Sequence, residues 1–212
     1  MAPSSQNSSM VRALQQEGFA DERVAKAMRK ADRALFVPEN ERLSAYAPIP
    51  LPIGLGQTIS APTIVAQMST LLQVKEGMNI LEVGAGSGYQ AAVLAELTGK
   101  KGKVTTIDRI AELIEMAKAN CSKAGYSNIA FIRGNGARGY EKNAPYDCIL
   151  VAAAAIKIPQ ALAEQLKEGG RMLIPVGRPD YAELLIVHKL KGGEIRTEKV
   201  TDVMFVPLVD ED

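Results

Sequence analysis

The chain is poor in the residues from which metal sites, disulfide scaffolds and histidine-driven active sites are made. It has no tryptophan, one histidine (His188) and two cysteines (Cys121 and Cys148) that form no CxxC pair. A disulfide framework and a cysteine zinc centre are excluded on that count, and a multi-histidine metal site with them. No metal is expected. No stretch reaches the ~18 consecutive apolar residues of a membrane span, and the N-terminus lacks the basic-then-apolar layout of a secretory signal. The expectation is a cytoplasmic protein with no membrane partner. Charge of one sign is also missing: 25 Lys and Arg face 24 Asp and Glu, a net charge of +1. With ten Phe and Tyr besides, the chain offers little to a polyanion or to stacked bases, so no nucleic-acid partner is expected.

What is present suits one filled domain. The 212 residues are 47% hydrophobic and 23% charged, and single cores stop growing only near ~250–300 residues. Residues 1–9 are polar and Ser-rich and read as a disordered tail ahead of one domain, 10–212. Within it, 10–75 carries N-terminal helices and a loop, and 76–212 a sheet. Asp21 looks like an N-cap for a helix through Val24, Ala27, Met28 and Ala31. Prolines 48, 50, 52 and 62, with Gly54 and Gly56, predict a structured loop over 48–62 before a helix from Thr63 to Leu72.

From Met78 the pattern alternates. Apolar runs at 79–83, 104–107, 129–132, 147–151 and 171–174 read as strands, and 88–98, 110–124 and 159–167 as helices. Lys191-Gly192-Gly193 predicts a hairpin between strands at 184–190 and 194–200, and 203–206 would add another strand. His188 on that hairpin reads as a surface residue and the two cysteines as core thiols. Alternation of strand and helix predicts an α/β fold: a mostly parallel central sheet, helices on both faces, and antiparallel strands at the C-terminal edge.

The first strand runs into Gly84-Ala85-Gly86-Ser87-Gly88 and then a helix. Such a turn brings backbone N–H groups close to a ligand at a helix N-terminus. Asp108 lies 20 residues past Gly88, at the end of the second strand, where an acid can accept ribose hydroxyls. Dinucleotide enzymes favour G-x-G-x-x-G; here the spacing is G-x-G-x-G, and residue 89 is Tyr. Preceded by Leu81-Glu82-Val83, the loop resembles the first motif of S-adenosylmethionine-dependent methyltransferases. The same residues have structural readings: Glu82 as a brace for the loop, Ser87 and Asp108 as helix caps.

A narrower resemblance follows from Leu51-Pro52-Ile53-Gly54, Gly56-Gln57-Thr58-Ile59-Ser60, Phe36-Val37-Pro38, Gly86-Ser87-Gly88-Tyr89-Gln90, Leu166-Lys167-Glu168-Gly169-Gly170 and Phe205-Val206-Pro207-Leu208. Together they resemble the signature of the protein-L-isoaspartate O-methyltransferases. The resemblance implies a Rossmann-like class I methyltransferase fold. It also implies methyl transfer from S-adenosyl-L-methionine to the α-carboxylate of L-isoaspartyl residues in damaged proteins, with S-adenosyl-L-homocysteine as product. Isoaspartyl proteins and peptides would be the partners, and the chain would act as a monomer. It places Ser60 as the active-site serine. It assigns the cofactor to Gln57, Thr58, Ile59, Glu82, Gly84, Ala85, Gly86, Ser87, Gly88, Asp108, Arg109, Asn135 and Gly136. It assigns the substrate to Ile53, Gly54, Leu55, Val206 and Pro207. Three positions depart from the family pattern: Pro48 and Asn135 stand where an Asp is usual, and Ala152 where a Thr is usual. Two other readings stay open, a methyltransferase with another acceptor and a binding module without turnover.

Overall fold

Residues 4–9 of the expected tail are folded. In the computed structural model, which describes residues 4–210, α1 spans Ser5–Gln16. Ser4 caps it by accepting a 3.1 Å bond from the Asn7 amide. Asn7, Val11 and Leu14 are buried in one stripe at i, i+4 and i+7. The Asn7 side chain donates to the carbonyls of Met28 and Arg29, both at 3.1 Å. The Ser-rich composition hid this helix because its buried stripe is narrow and starts with an asparagine. The part of the expected tail at residues 1–3 lies outside the described residues.

Helix α2 (Glu22–Lys30) starts as expected, with Asp21 accepting a 2.8 Å bond from the Val24 amide. The proline-rich segment is not a loop. It is a hairpin of β1 (Leu51–Gly54) and β2 (Gln57–Ile59), paired antiparallel, with Leu51, Ile53 and Ile59 buried beneath it. A two-stranded ribbon leaves half its backbone groups unpaired, so Pro52 fits where a wider sheet would reject it. Helix α3 (Pro62–Leu72) follows with proline in its first turn.

The main sheet is built from β3 (Asn79–Val83), β4 (Lys103–Asp108), β5 (Ile129–Arg133), β6 (Tyr146–Val151), β7 (Leu166–Arg178), β8 (Tyr181–Lys189) and β9 (Ile195–Val203). Their order is β5-β4-β3-β6-β7-β8-β9. The first five are parallel, while β8 and β9 run antiparallel at the C-terminal edge, as expected. Helices α4 (Tyr89–Thr98), α5 (Ala111–Lys123) and α6 (Gln160–Gln165) connect them.

Two expectations at this edge are corrected. The helix at 159–167 stops at Gln165 because Leu166 already pairs with Tyr146, and the Lys189 ammonium holds the Leu166 carbonyl at 2.7 Å. Gly169-Gly170 therefore sits inside β7, at a register irregularity, and not after a helix. The last expected strand, 203–206, is only the end of β9. Beyond it the chain forms a single bridge between Pro207 and Ala154. There the Ala154 amide donates to Val206 and the Leu208 amide to Ala154, each at 2.8 Å.

The sheet is buried on both faces, which explains why its strands read as unbroken apolar runs. On one face Ile80 and Leu150 share a core with Val11, Met28, Val65 and Leu94. On the other, Leu81, Val83, Ile149 and Val151 pack with Leu162, Met172 and Ile174. From β3 the chain turns to β4 on one side and later to β6 on the other. A crevice opens at the carboxyl ends of strands where their order reverses in this way.

Candidate functional site

The glycine loop lies at that crevice. Gly84 hydrogen-bonds to the Ile107 carbonyl at 2.8 Å, which ties the loop to the end of β4. A side chain at Gly84 would press on Ala152 at 3.4 Å, so the loop runs close along the end of β6. Gly88 caps α4 with φ +88°, and a Cβ there would meet Cys121 Sγ at 2.9 Å and the Ala117 carbonyl at 3.0 Å. Its glycine thus serves the turn and the close approach of α4 to α5 together. Helix α4 has no side-chain cap, so its first N–H groups face the crevice free.

The crevice widens into a cleft of about 1030 Å³, counting its mouth. Its lining brings together Gln57, Thr58, Ile59 and Ser60 from the hairpin, Glu82 and Gly84 to Ser87 from β3 and its loop, and Asp108 and Arg109 from β4. Gly136, Val206 and Pro207 complete the expected set. Five expected residues are not in the lining: Gly88, Asn135, Ile53, Gly54 and Leu55. Ile53 is buried under the hairpin, with its Cδ1 beside Gly86. Gly54 and Leu55 are exposed at the hairpin turn. Asn135 spends its side-chain oxygen on the Ala137 amide, at 3.0 Å, which caps a short helical turn.

The sequence reasoning missed an apolar set, Ile107, Ile110 and Leu113, which lines the cleft from the end of β4 and the first turn of α5. Their positions flanking Asp108, with 110 and 113 one helical turn apart, were the available signal. Such a set suits the flat face of a base. Tyr89, Gln90, Leu208 and Val209 were missed as well.

The proposed caps resolve differently. Ser60 lies just before α3, whose N-cap is Ala61, without a side-chain bond. The Ser60 carbonyl accepts from Arg33 at 3.0 Å, while its hydroxyl has no protein partner among the described residues, and the residue lines the cleft. Asp108 accepts from the Gly86 amide at 3.2 Å and from the Ile110 amide at 3.1 Å, one bond per oxygen, so each oxygen keeps acceptor capacity. Ser87 is buried without capping α4.

Glu82 does not brace the loop through backbone amides. It is fully buried, accepts a 2.5 Å bond from Thr106 Oγ1, and leaves Oε1 without a partner. Desolvation pushes its carboxyl up to about 8; the Thr106 bond opposes the rise and the Asp108 charge adds to it. A buried acid with one unpartnered oxygen, in the same lining as the start of α4, fits a ligand with both cationic and polar parts. S-adenosylmethionine has a sulfonium, an ammonium, a carboxylate and a nucleoside, so the residues present fit it.

The cleft is lined by no histidine, lysine or cysteine. His188 is half-buried on β8, and its imidazole is held below its ordinary range by burial and by Arg171. Burial raises both cysteines to about 12. Among the described residues no helix is long and apolar enough to cross a membrane, and no group of three or more His, Cys, Asp or Glu could hold a metal.

Comparison with known proteins agrees with this geometry. A family model described as protein-L-isoaspartate(D-aspartate) O-methyltransferase matches residues 5–212. The protein-L-isoaspartate O-methyltransferase of Methanothrix thermoacetophila is 53% identical over 191 residues, covering 90% of each chain. That of Methanococcoides burtonii is 50% identical over 200 residues, covering 94% of this chain and 98% of its own. A crystal structure from Plasmodium falciparum, assigned to the same enzyme and holding S-adenosyl-L-homocysteine, superposes with a TM-score of 0.87. It is 27% identical and covers 98% of this chain and all of that one.

Proposed function

Because the chain belongs to the protein-L-isoaspartate(D-aspartate) O-methyltransferase family, we propose that one cleft serves both halves of its reaction, cofactor below and damaged peptide above. The enzyme is a protein-repair methyltransferase that uses S-adenosylmethionine. When bound, that cofactor supplies an activated methyl group on a sulfonium.

On this reading Asp108 receives the ribose hydroxyls, and Ile107, Ile110 and Leu113 flank the base. The N–H groups at the start of α4 and Glu82 face the amino-acid end. Ser60 donates a hydrogen bond to the acceptor carboxylate and turns one of its oxygens toward the methyl group. Gln57 to Ile59 close the space between the two and keep water out. Val206 and Pro207 form the opposite wall.

The supporting observation is Ser60, its hydroxyl without a hydrogen bond among the described residues, in the lining of the cleft that the glycine loop floors. A carboxylate acceptor is already ionised at neutral pH, since such groups titrate near ~4, so the transfer needs no general base. The lining offers none besides Glu82 and Asp108, both assigned to the cofactor. Ser60 has no base to activate it as a nucleophile, so its work is orientation. Positioning of this kind can lower a barrier by ~7–11 kcal/mol. The proposed acting unit is a single chain, and the proposed setting is the cytoplasm.

The test is methylation with labelled S-adenosylmethionine of two peptides that differ only in L-isoaspartate against aspartate. Base-labile label on the isoaspartyl peptide alone is expected. Label on neither, from folded protein, would overturn the reading.

A further inference from the structure

The residue that sets Ser60 in place is a buried arginine outside the cleft. Arg33 begins the short helical turn Arg33–Leu35 and is 0% exposed. Its Nη1 donates to the Ala45 carbonyl at 2.5 Å, and its Nη2 to the carbonyls of Ile49 and Ser60 at 3.1 and 3.0 Å. Ala45 precedes the hairpin, Ile49 lies just before β1 and Ser60 just after β2. One planar guanidinium thus holds both legs of the hairpin at its base. No other side chain could do so from one site, because the fork carries five donors in fixed directions.

The cation has no carboxylate partner among the described residues, and Nε makes no bond. Burial lowers the guanidinium to about 10, which leaves it charged at neutral pH. Removing a buried charge from water is costly unless it is fully used. Here the use is three carbonyls that flank the substrate hairpin. A tyrosine stands between this clamp and the cofactor loop. Tyr89, the first residue of α4, packs its ring 5.5 Å from Phe36, and its buried hydroxyl is unpartnered.

We propose that Arg33 is a positioning residue for the acceptor side of the reaction: by gathering the carbonyls of Ala45, Ile49 and Ser60 on one buried cation, it fixes the hairpin base and so the place of the Ser60 hydroxyl. The proposal rests on the reading of Ser60 given above. It separates Arg33 from the cofactor, which the glycine loop, Glu82 and Asp108 hold independently.

The test compares Arg33→Lys and Arg33→Gln with the parent enzyme, once the parent has been shown to methylate an isoaspartyl peptide. Lysine keeps the charge but cannot reach three carbonyls as a fork; glutamine keeps one donor group and loses the charge. Three quantities are read: KM and kcat for the peptide, the affinity for S-adenosylhomocysteine by calorimetry, and amide exchange over residues 49–60. The expected result for Arg33→Lys is a peptide KM raised roughly tenfold or more, with homocysteine-product affinity within about threefold. Exchange over 49–60 should quicken at least tenfold while 79–98 stays protected. Arg33→Gln should show the same split more strongly. If either variant folds poorly, amide exchange over 49–60 is read with saturating S-adenosylhomocysteine, which stabilises the folded state by mass action, and the kinetic and affinity comparisons are made below the variant's melting temperature. An unchanged peptide KM with unchanged exchange over 49–60 would overturn the proposal. So would a parallel loss of cofactor affinity and peptide KM, which would mark Arg33 as general structural support. Quickened exchange over 49–60 with an unchanged peptide KM would overturn the proposal too, by faulting the Ser60 assignment and not the clamp.

Discussion

Glu82 and Thr106 are direct neighbours across β3 and β4, and the Thr106 hydroxyl donates to only one oxygen of the buried carboxyl, at 2.5 Å. The other oxygen is unpartnered. This acid is raised to about 8 in the folded protein, against an ordinary value of 4.5. Between these values the folded state holds a proton that the unfolded state has released. Stability contributed by this group is therefore complete below about 4.5 and is lost as pH rises toward 8, by up to about 1.4 kcal/mol per pH unit. Chemical denaturation of the ligand-free protein from pH 5 to 8 should show that decline, and Glu82→Gln should flatten it.

The same proton makes a second prediction. A cationic ligand beside Glu82 favours the carboxylate, so binding of S-adenosylmethionine at pH 6.5 should release a proton. Calorimetry in buffers of different ionisation enthalpy reads this directly. Equal apparent enthalpies in all buffers would place the ligand's charge elsewhere.

Ser60→Ala removes one hydrogen bond to a charged acceptor, worth about 1.5–3 kcal/mol. The expected fall in kcat/KM on an isoaspartyl peptide is roughly ten- to a hundredfold, with S-adenosylhomocysteine affinity little changed. A complete loss of activity would point to a covalent role and contradict the orientation argument.

Asp108→Asn keeps the shape and removes the charge. One of its two positions would set an NH₂ against the Gly86 amide, which now donates to the carboxylate at 3.2 Å. Cofactor affinity should weaken roughly ten- to a hundredfold by calorimetry, while the melting curve of the ligand-free protein moves far less.

Gly88→Ala and Gly18→Ala form a matched pair. Both residues have left-handed φ, +88° and +80°, yet a Cβ at Gly18 meets nothing within 4 Å, whereas at Gly88 it strikes Cys121 and Ala117. Gly18→Ala should cost about 1 kcal/mol from backbone strain alone, and Gly88→Ala about 2–4 kcal/mol. Thermal unfolding ranks them, and Gly88→Ala should weaken cofactor binding as well.

The strand–loop–helix from Asn79 to Thr98 was legible because every signal in it is local: an apolar run, three glycines and a helical period. Asp108 was legible for the same reason, being fixed by its distance from Gly88 and by the end of its strand. The hairpin was not, because three prolines masked the alternation of Leu51 and Ile53 with exposed neighbours. Helix α1 was hidden because Asn7 counts as polar in any pattern, though it is buried against the end of α2. Asn135 is assigned to the cofactor by the resemblance alone; its bond to the Ala137 amide two residues on is a habit of short polar side chains at turns that the resemblance does not carry. Arg33 carried no signal at all, since the carbonyls it gathers come from up to 27 residues away.

The wall that Val206 to Val209 build against the glycine loop has a consequence for synthesis on the ribosome. The floor of the cleft is encoded near residue 84, and its far side 122 residues later, from residue 206. Until residue 209 has cleared the exit tunnel, the nascent chain can form β3 and its loop but cannot enclose a nucleoside. The protein therefore gains its cofactor, and the stabilisation that comes with it, only after most of its fold has had to stand without either.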